Sequence, residues 1–242
     1  MYLSVIIPAY NEEKRITKTL LDAGEYLKNQ DYESEVIVVD DGSADNTAGI
    51  VSGLKNKIKN LSLVSNGLNR GKGFSVRRGM ISASGEYRLF MDADNSTPIS
   101  EISKLLPFLS SGYDIAIGSR SVEGSNIISA QPWQRKFLGN CYALMVKIFA
   151  GLYGFRDTQC GFKVFSAESA NDIFSKCRIN GWSFDVETLA LAKKLGYTVK
   201  EVPINWQDSP GTKVKIKGII KAGFDLLRIR WYAIGVKQEK AD

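Results

Sequence analysis

The sequence contains no histidine, which excludes Ser-His-Asp hydrolysis, imidazole acid–base chemistry and His-ligated zinc. Any chemistry must run on carboxylates, cations, hydroxyls or a metal held by oxygen. Cysteine is scarce. Cys141, Cys160 and Cys177 are widely separated and odd in number, giving neither a zinc spacing nor a disulfide framework and favouring a reducing, cytosolic setting. Long apolar runs are also missing: the longest, Tyr142 to Tyr153, is broken by Lys147 and falls short of the roughly 20 residues of a membrane-spanning helix. Met1 leads straight into an apolar strand-like run, so no secretory signal is expected.

What is there is ordinary globular material: 242 residues, 44% hydrophobic and 24% charged, enough for one domain with a sizeable core. The formal charge of +6 is unevenly spread. Lys193 to Lys240 carries 11 basic against 4 acidic residues, and the rest of the chain is within one charge of neutrality. A basic surplus confined to one end points to a local anionic partner, such as a phosphate or a membrane surface, or else to a solvated tail. A nucleic-acid partner is disfavoured, because the cations are not interleaved through a binding motif.

Short β-branched runs alternate with stretches of helical spacing. Leu3–Pro8 and Glu35–Asp40 read as strands around a helix over Glu12–Lys28, whose Ile16, Leu20, Ala23 and Leu27 share a face. The alternation continues through helices near Asp45–Leu54 and Gly73–Ser84 and strands at Leu61–Ser65 and Tyr87–Asp92. Next come a helix at Ile99–Leu109, a strand at Asp114–Ser119, an irregular segment to Ala130 and a helix from Gln134 to about Tyr153. A strand at Gly161–Phe165, helices at Ala167–Phe174 and Phe184–Leu195 and a last strand at Thr198–Pro203 follow. This order predicts an α/β fold with a mostly parallel sheet covered by helices. In such sheets ligands bind beyond the carboxyl ends of the strands, where Tyr10, Asn11, Asp40, Asp41, Asp92 and Asp94 fall.

The turn Pro8-Ala9-Tyr10-Asn11-Glu12 has no glycine, which disfavours a dinucleotide-binding Rossmann turn. The segment Gly67 to Gly73 is not a Walker A loop, since Gly73 stands where Ser or Thr would bind magnesium. Gly71 and Gly73 permit close backbone approach, and Arg70 and Lys72 can neutralise phosphate; alternatively the glycines only ease the start of a helix. Asp92 and Asp94 place two carboxylates at a strand end. Hard oxygen ligands there suit Mg²⁺ or Mn²⁺. Such an ion would hold a diphosphate and stabilise its charge on departure; the competing role is a turn capping the next helix. Asp40 and Asp41 can accept hydrogen bonds from a base or ribose, or form an ordinary Asp-Gly turn.

The order PAYNE, VVDDGS, NRGKG, MDAD and GSR resembles the nucleotide-sugar-dependent glycosyltransferases of the GT-A fold. More narrowly, Arg156 to Lys163 (RDTQCGFK), Trp182 to Glu187 (WSFDVE) and Val202 to Trp206 (VPINW) are similar to the dolichyl-phosphate β-glucosyltransferases. The resemblance spans nearly the whole chain. It implies a Rossmann-like, mostly parallel mixed sheet and an inverting, metal-assisted transfer of glucose from UDP-glucose to a polyprenyl or dolichyl phosphate, peripherally at the cytosolic membrane face. UDP-N-acetylglucosamine and GDP-mannose stand as alternative donors. The alternative of another class is a catalytically silent nucleotide-sugar-binding partner of a membrane complex.

By the same resemblance Pro8, Tyr10, Glu12, Asp40 and Asp41 surround the nucleotide, with Lys72 and Gly73 near it. Asp92 and Asp94 serve the metal and diphosphate, and Asp185 the donor sugar, with Glu187 on a different helical face. Arg120 lies near the transferring phosphate and Arg135 holds the acceptor phosphate, or each makes a surface salt bridge, and Asp157 is the first candidate for a catalytic carboxylate, or else a structural hydrogen-bonding group. The acceptor phosphate, with a second pKa near ~6, is largely ionised at neutrality, so a strong general base is not obligatory. Trp182, Phe184 and Trp206 line a sugar or lipid path, or simply pack. This chain departs from the family in carrying Asn95 where a glycine follows the acidic pair, and no hydrophobic anchor of the family's kind is expected from its apolar runs. Residues 1–212 are read as the catalytic domain and 213–242 as a basic amphipathic extension. Within the extension, Gly218 to Val236 suits a membrane interface or, equally, an amphipathic helix packed on the domain's own core.

Overall fold

The computed structural model describes residues 1–128, 133–208 and 216–236, without the side chains of 133–138, 216–221 and 234. Strands β1 (Leu3–Ala9), β2 (Ser34–Asp40), β3 (Leu61–Ser65) and β4 (Tyr87–Met91) are joined by helices α1 (Ile16–Lys28), α2 (Thr47–Leu54) and α3 (Lys72–Ser82). A 3-10 turn at Ile99–Glu101 and α4 (Ile102–Ser110) lead to β5 (Ile115–Ser119). The chain then runs through β6 (Asn126–Ile127), α5 (Trp133–Ala150), β7 (Phe162–Ser166), α6 (Ala167–Lys176) and α7 (Phe184–Leu195). It ends with β8 (Val199–Pro203), β9 (Asn205–Trp206) and α8 (Ile216–Gly235).

Every residue of β1 is buried, the consequence of a parallel sheet covered on both faces. The seven strands lie in the order β3-β2-β1-β4-β7-β5-β8, and only β7 runs antiparallel to its neighbours. The mixed, mostly parallel sheet is the expected one. Successive strands step from β1 out to β3, then β4 crosses back to the other side of β1, so the topological switch point lies between β1 and β4. Their ladder runs only from Leu3 opposite Tyr87 to Ile6 opposite Phe90. Two residues on stands Pro8, which has no amide hydrogen to extend a ladder.

Helix α1 begins at Ile16 rather than Glu12, because Glu12 to Arg15 form a turn whose Glu12 carbonyl accepts from the Arg15 and Ile16 amides. Its Ile16, Leu20, Ala23 and Leu27 are all buried. A buried side chain of this size contributes roughly 1.5–3 kcal/mol. The pair β6 and β9 was not expected: two residues each show no period to read. Two apolar layers result. One holds α1, α2 and α4 against the sheet, and the other holds α3, α5, α6 and α7 together with Ala222, Leu226 and Ile229 of α8. Helix α8 therefore joins the domain's own core by one side. Among the described residues no helix is long and apolar enough to cross a membrane.

Candidate active site

The loops at the switch point are clasped to one another. The Asn11 amide donates to Ser43 Oγ at 2.9 Å, the Glu12 amide to Thr47 Oγ1 at 2.8 Å, and Asn11 Oδ1 accepts from the Ala44 amide at 2.8 Å. Asn11 sits at φ 53°, a left-handed conformation asparagine tolerates. Tyr10 is left 38% exposed at the rim. Glu12 is nearly buried and paired with Arg15 at 2.6 Å, and Arg15 Nη1 lies 4.0 Å from Asp94 Oδ2.

The DDGS carboxylates hold the site's walls. Asp41 accepts from Asn66 Nδ2 at 2.7 Å and from the Arg70 and Gly71 amides at 3.0 and 2.8 Å, which fixes the NRGKG loop. Asp40, also buried, accepts from the Ser43 amide at 3.2 Å. Gly73, expected beside the nucleotide, is held from within the protein: its amide donates to the Asn180 carbonyl at 2.9 Å. A Cβ there would collide with the Ile179 carbonyl and Phe184. The glycine is needed for close packing of α3 on the 179–184 segment.

Lys72 opens α3, and its ammonium lies 2.5 Å from Asp92 Oδ1, with the rings of Phe90, Trp182 and Phe184 at 5.2, 5.1 and 5.8 Å. Burial alone would lower the Lys72 pKa, but Asp92, Asp185 and Asp94 act together to raise it. Burial raises that of Asp92, against the pull of Lys72. The Asp92 carboxylate rests on Gly161, where any Cβ would overlap it. Asp94 Oδ1 accepts from the Ser96 amide at 3.0 Å. Asn95, in place of the family's glycine, takes φ 56° and donates to Asp22 Oδ2 at 2.7 Å, so the backbone conformation a glycine would supply is kept.

Across the crevice, Arg120 grips Asp157 through its Nε at 2.7 Å, its Nη2 at 2.8 Å and its amide at 2.9 Å. Burial would raise the Asp157 pKa, but the guanidinium holds it below the usual carboxylate value. A carboxylate so bound is a poor proton acceptor, so of its two expected roles the structural one fits: Asp157 aims Arg120. The two amides preceding and at Asp157 are in turn held by Glu201, both at 2.9 Å. Arg120 also stacks 5.4 Å over Trp206. Arg135 falls in the first turn of α5, and its side chain lies outside the described residues.

Asp185, expected at the donor sugar, is instead sealed in an ion pair. Lys163 Nζ, 1% exposed, lies 2.5 Å from Asp185 Oδ1 and donates to the Cys160 carbonyl at 2.5 Å. Glu187 is buried as well, accepting from the Arg178 and Ile179 amides at 2.9 and 2.8 Å, and its pKa is raised by burial. Lys163, Gly161, Arg15 and Glu201 are the positions that reading the sequence missed. Of the three aromatics, Phe184 and Trp206 are buried packing residues, whereas Trp182 is 44% exposed. The Cys160 thiol, pushed up to about 12 by burial, is no nucleophile.

This crevice of paired cations and carboxylates beyond parallel strands sits within residues 4–174, which match the model for glycosyl transferase family 2. The chain belongs to glycosyl transferase family 2. A dolichyl-phosphate beta-glucosyltransferase of Trichomonas vaginalis is 38% identical over 100% of this chain and 75% of its own length. The dolichyl-phosphate beta-glucosyltransferase of Saccharomyces cerevisiae is 36% identical over 99% of this chain and 77% of its own. A solved structure of Mycobacterium tuberculosis glucosyl-3-phosphoglycerate synthase, with Mn²⁺, UDP-glucose and glycerol 3-phosphate, superposes with TM-score 0.69 at 16% identity. That likeness, over 98% of this chain and 82% of the other, is one of fold. This family 2 member is a hexosyltransferase with the GT-A architecture.

Among the described residues of the family 2 domain no group of three or more metal-ligating side chains forms a cage. The donor set that is present, Asp92 and Asp94 with partly exposed carboxylates, fits a different kind of site. One or two carboxylates, completed by substrate phosphates, are how Mg²⁺ and Mn²⁺ are held on nucleotides.

Proposed function

We propose that this chain transfers glucose from UDP-glucose to dolichyl or a related polyprenyl phosphate, with a divalent cation, at a membrane surface. The observation carrying this reading is the pair of cation–carboxylate contacts beyond the strand ends, Lys72 on Asp92 at 2.5 Å and Arg120 on Asp157 at 2.7 and 2.8 Å. Donor-side and acceptor-side cations thus face one carboxylate-bearing crevice. The names of the relatives and the UDP-glucose and Mn²⁺ in the mycobacterial enzyme support the choice of substrates and metal.

A divalent ion held by Asp94 and Asp92 would neutralise charge on the departing nucleoside diphosphate. Lys72 and Arg15 supply further positive charge on that side, while the clasped loops around Tyr10 and Asp40 hold the nucleoside. Arg120 has two of its three nitrogens fixed by Asp157, leaving Nη1 to hold an acceptor phosphate in line with the sugar. That phosphate oxygen attacks the anomeric carbon as the bond to the diphosphate oxygen breaks, inverting the configuration. No proton must be removed from an acceptor already ionised.

An apolar face supports membrane delivery of the acceptor. Phe224, Leu227 and Trp231 of α8 are exposed, Trp231 at 85%, beside Leu144, Ile148 and Phe149 of α5. Phe149, Gly223, Phe224 and Leu227 line one shallow concavity, and Leu227, Trp231, Arg228 and Arg230 the next. Exposed aromatic and aliphatic side chains with a basic border suit an anionic lipid surface.

The test is transfer of radiolabelled sugar from UDP-glucose, UDP-N-acetylglucosamine or GDP-mannose to polyprenyl phosphate in anionic vesicles, with Mg²⁺, Mn²⁺ or EDTA. Labelling from UDP-glucose that EDTA abolishes is the expected result. Absence of labelling from every donor would overturn the reading.

A further inference from the structure

We propose that Lys72 is a resident stand-in for the divalent cation: it neutralises Asp92 in the ligand-free protein and must leave that carboxylate when metal and diphosphate bind. The inference rests on the metal-assisted reading above. It starts from an oddity of placement. Lys72 is the first residue of α3, at the positive end of the helix dipole, where a cation is disfavoured. Its ammonium is nonetheless drawn inward to Asp92 Oδ1 at 2.5 Å. Asp185 already has Lys163 and Asp94 has Arg15 at 4.0 Å, so Lys72 is the cation that answers Asp92.

The two partners differ in freedom. Asp92 is wedged: its amide donates to the Gly161 carbonyl at 3.1 Å, and its carboxylate rests against Gly161 with no room for a Cβ between. Lys72 carries its charge on a flexible four-carbon stem, among the rings of Phe90, Trp182 and Phe184. Of these, Trp182 is 44% exposed. Aromatic faces stabilise an ammonium in more than one position, so they provide a surface along which it can move. A dication beside Asp92 would repel the ammonium a few ångströms away. The moving part is therefore Lys72. The acceptor for its displaced charge is the donor's diphosphate, so the two ligands bind cooperatively: metal alone must compete with Lys72, and metal with diphosphate need not.

The experiment measures Mn²⁺ binding to the full chain by electron paramagnetic resonance of the free ion, with and without UDP, for wild type, Lys72→Met, Lys72→Gln and Lys72→Arg. Without UDP, both neutral variants should bind Mn²⁺ about tenfold more tightly than wild type, and Lys72→Arg within about twofold of it. UDP should tighten Mn²⁺ binding strongly in wild type and several-fold less in the neutral variants. On an Asp92→Asn background the Lys72→Met effect should vanish. Equal or weaker Mn²⁺ binding by both neutral variants without UDP, with wild-type thermal melts, would overturn the proposal and leave metal-dependent transfer standing. Failure of wild type to bind Mn²⁺ even with UDP would instead remove the metal-assisted reading and this proposal together.

Discussion

Two lysine–aspartate pairs, each closed to 2.5 Å, lie close together and could hardly differ more in consequence. Lys163 and Asp185 are 1% and 5% exposed in their side chains; Lys72 and Asp92 are 17% and 32% exposed. The sealed pair ties β7 to α7, and its ammonium is also held by the Cys160 carbonyl. The open pair meets the crevice and is walled by aromatic rings. Identical chemistry is confined to a structural role where solvent is excluded and is left accessible to a ligand where solvent enters, and burial rather than residue type draws the line.

The sharpest way to break the comparison is to remove one lysine of each pair. Lys163→Met strands the Asp185 carboxylate in the interior, and a loss of about 3–5 kcal/mol of stability is expected, read by urea or thermal unfolding. Lys72→Met, by contrast, should unfold close to wild type. A second contrast sets the open pair against Arg120. Lys cannot reproduce its two-pronged grip on Asp157, so Arg120→Lys should lower kcat on the order of 10²-fold, with a much smaller shift in melting than Lys163→Met.

The smallest effect concerns pH. The folded pKa of Asp157 lies below the ordinary value of 3.8, so its stabilising contribution is complete above that value and is lost as pH falls through the folded pKa. The stability difference between wild type and Asp157→Asn should therefore be flat from neutrality to about pH 5 and narrow only below 3.8. A difference that closed near neutrality would show that Arg120 does not hold this carboxylate ionised.

The sheet could be read from sequence because its strands are runs such as Ser34–Asp40 whose β-branched residues have little alternative. The crevice could be read because strand ends are marked by PAYNE, DDGS and DAD. What could not be read was which carboxylates are already engaged by the protein's own groups. Asp41 looks like a ligand-binding residue and spends itself on Asn66 and two loop amides. Asp185 looks equally available, yet its partner is a lysine 22 residues away, on an apolar strand where a charge reads as an edge position. Pairings of that kind depend on α7 crossing β7, and no local spacing encodes them. Trp182 and Phe184 are two residues apart in one motif, and only the turn before α7 separates the exposed ring from the buried one.

The single antiparallel strand has an architectural consequence. Ile117 of β5 lies opposite Lys163 of β7, so the chain leaves the sheet after Ser119 and returns before Phe162 at neighbouring points. Both ends of this excursion meet at adjacent strand ends, where the Arg120–Asp157 grip ties its neck, while Tyr142 and Val146 anchor α5 in the core and β6 pairs with β9. Closing a loop becomes only slowly more costly as it lengthens. A neck fixed in this way lets the loops of the excursion change length at little cost to the sheet from which it departs.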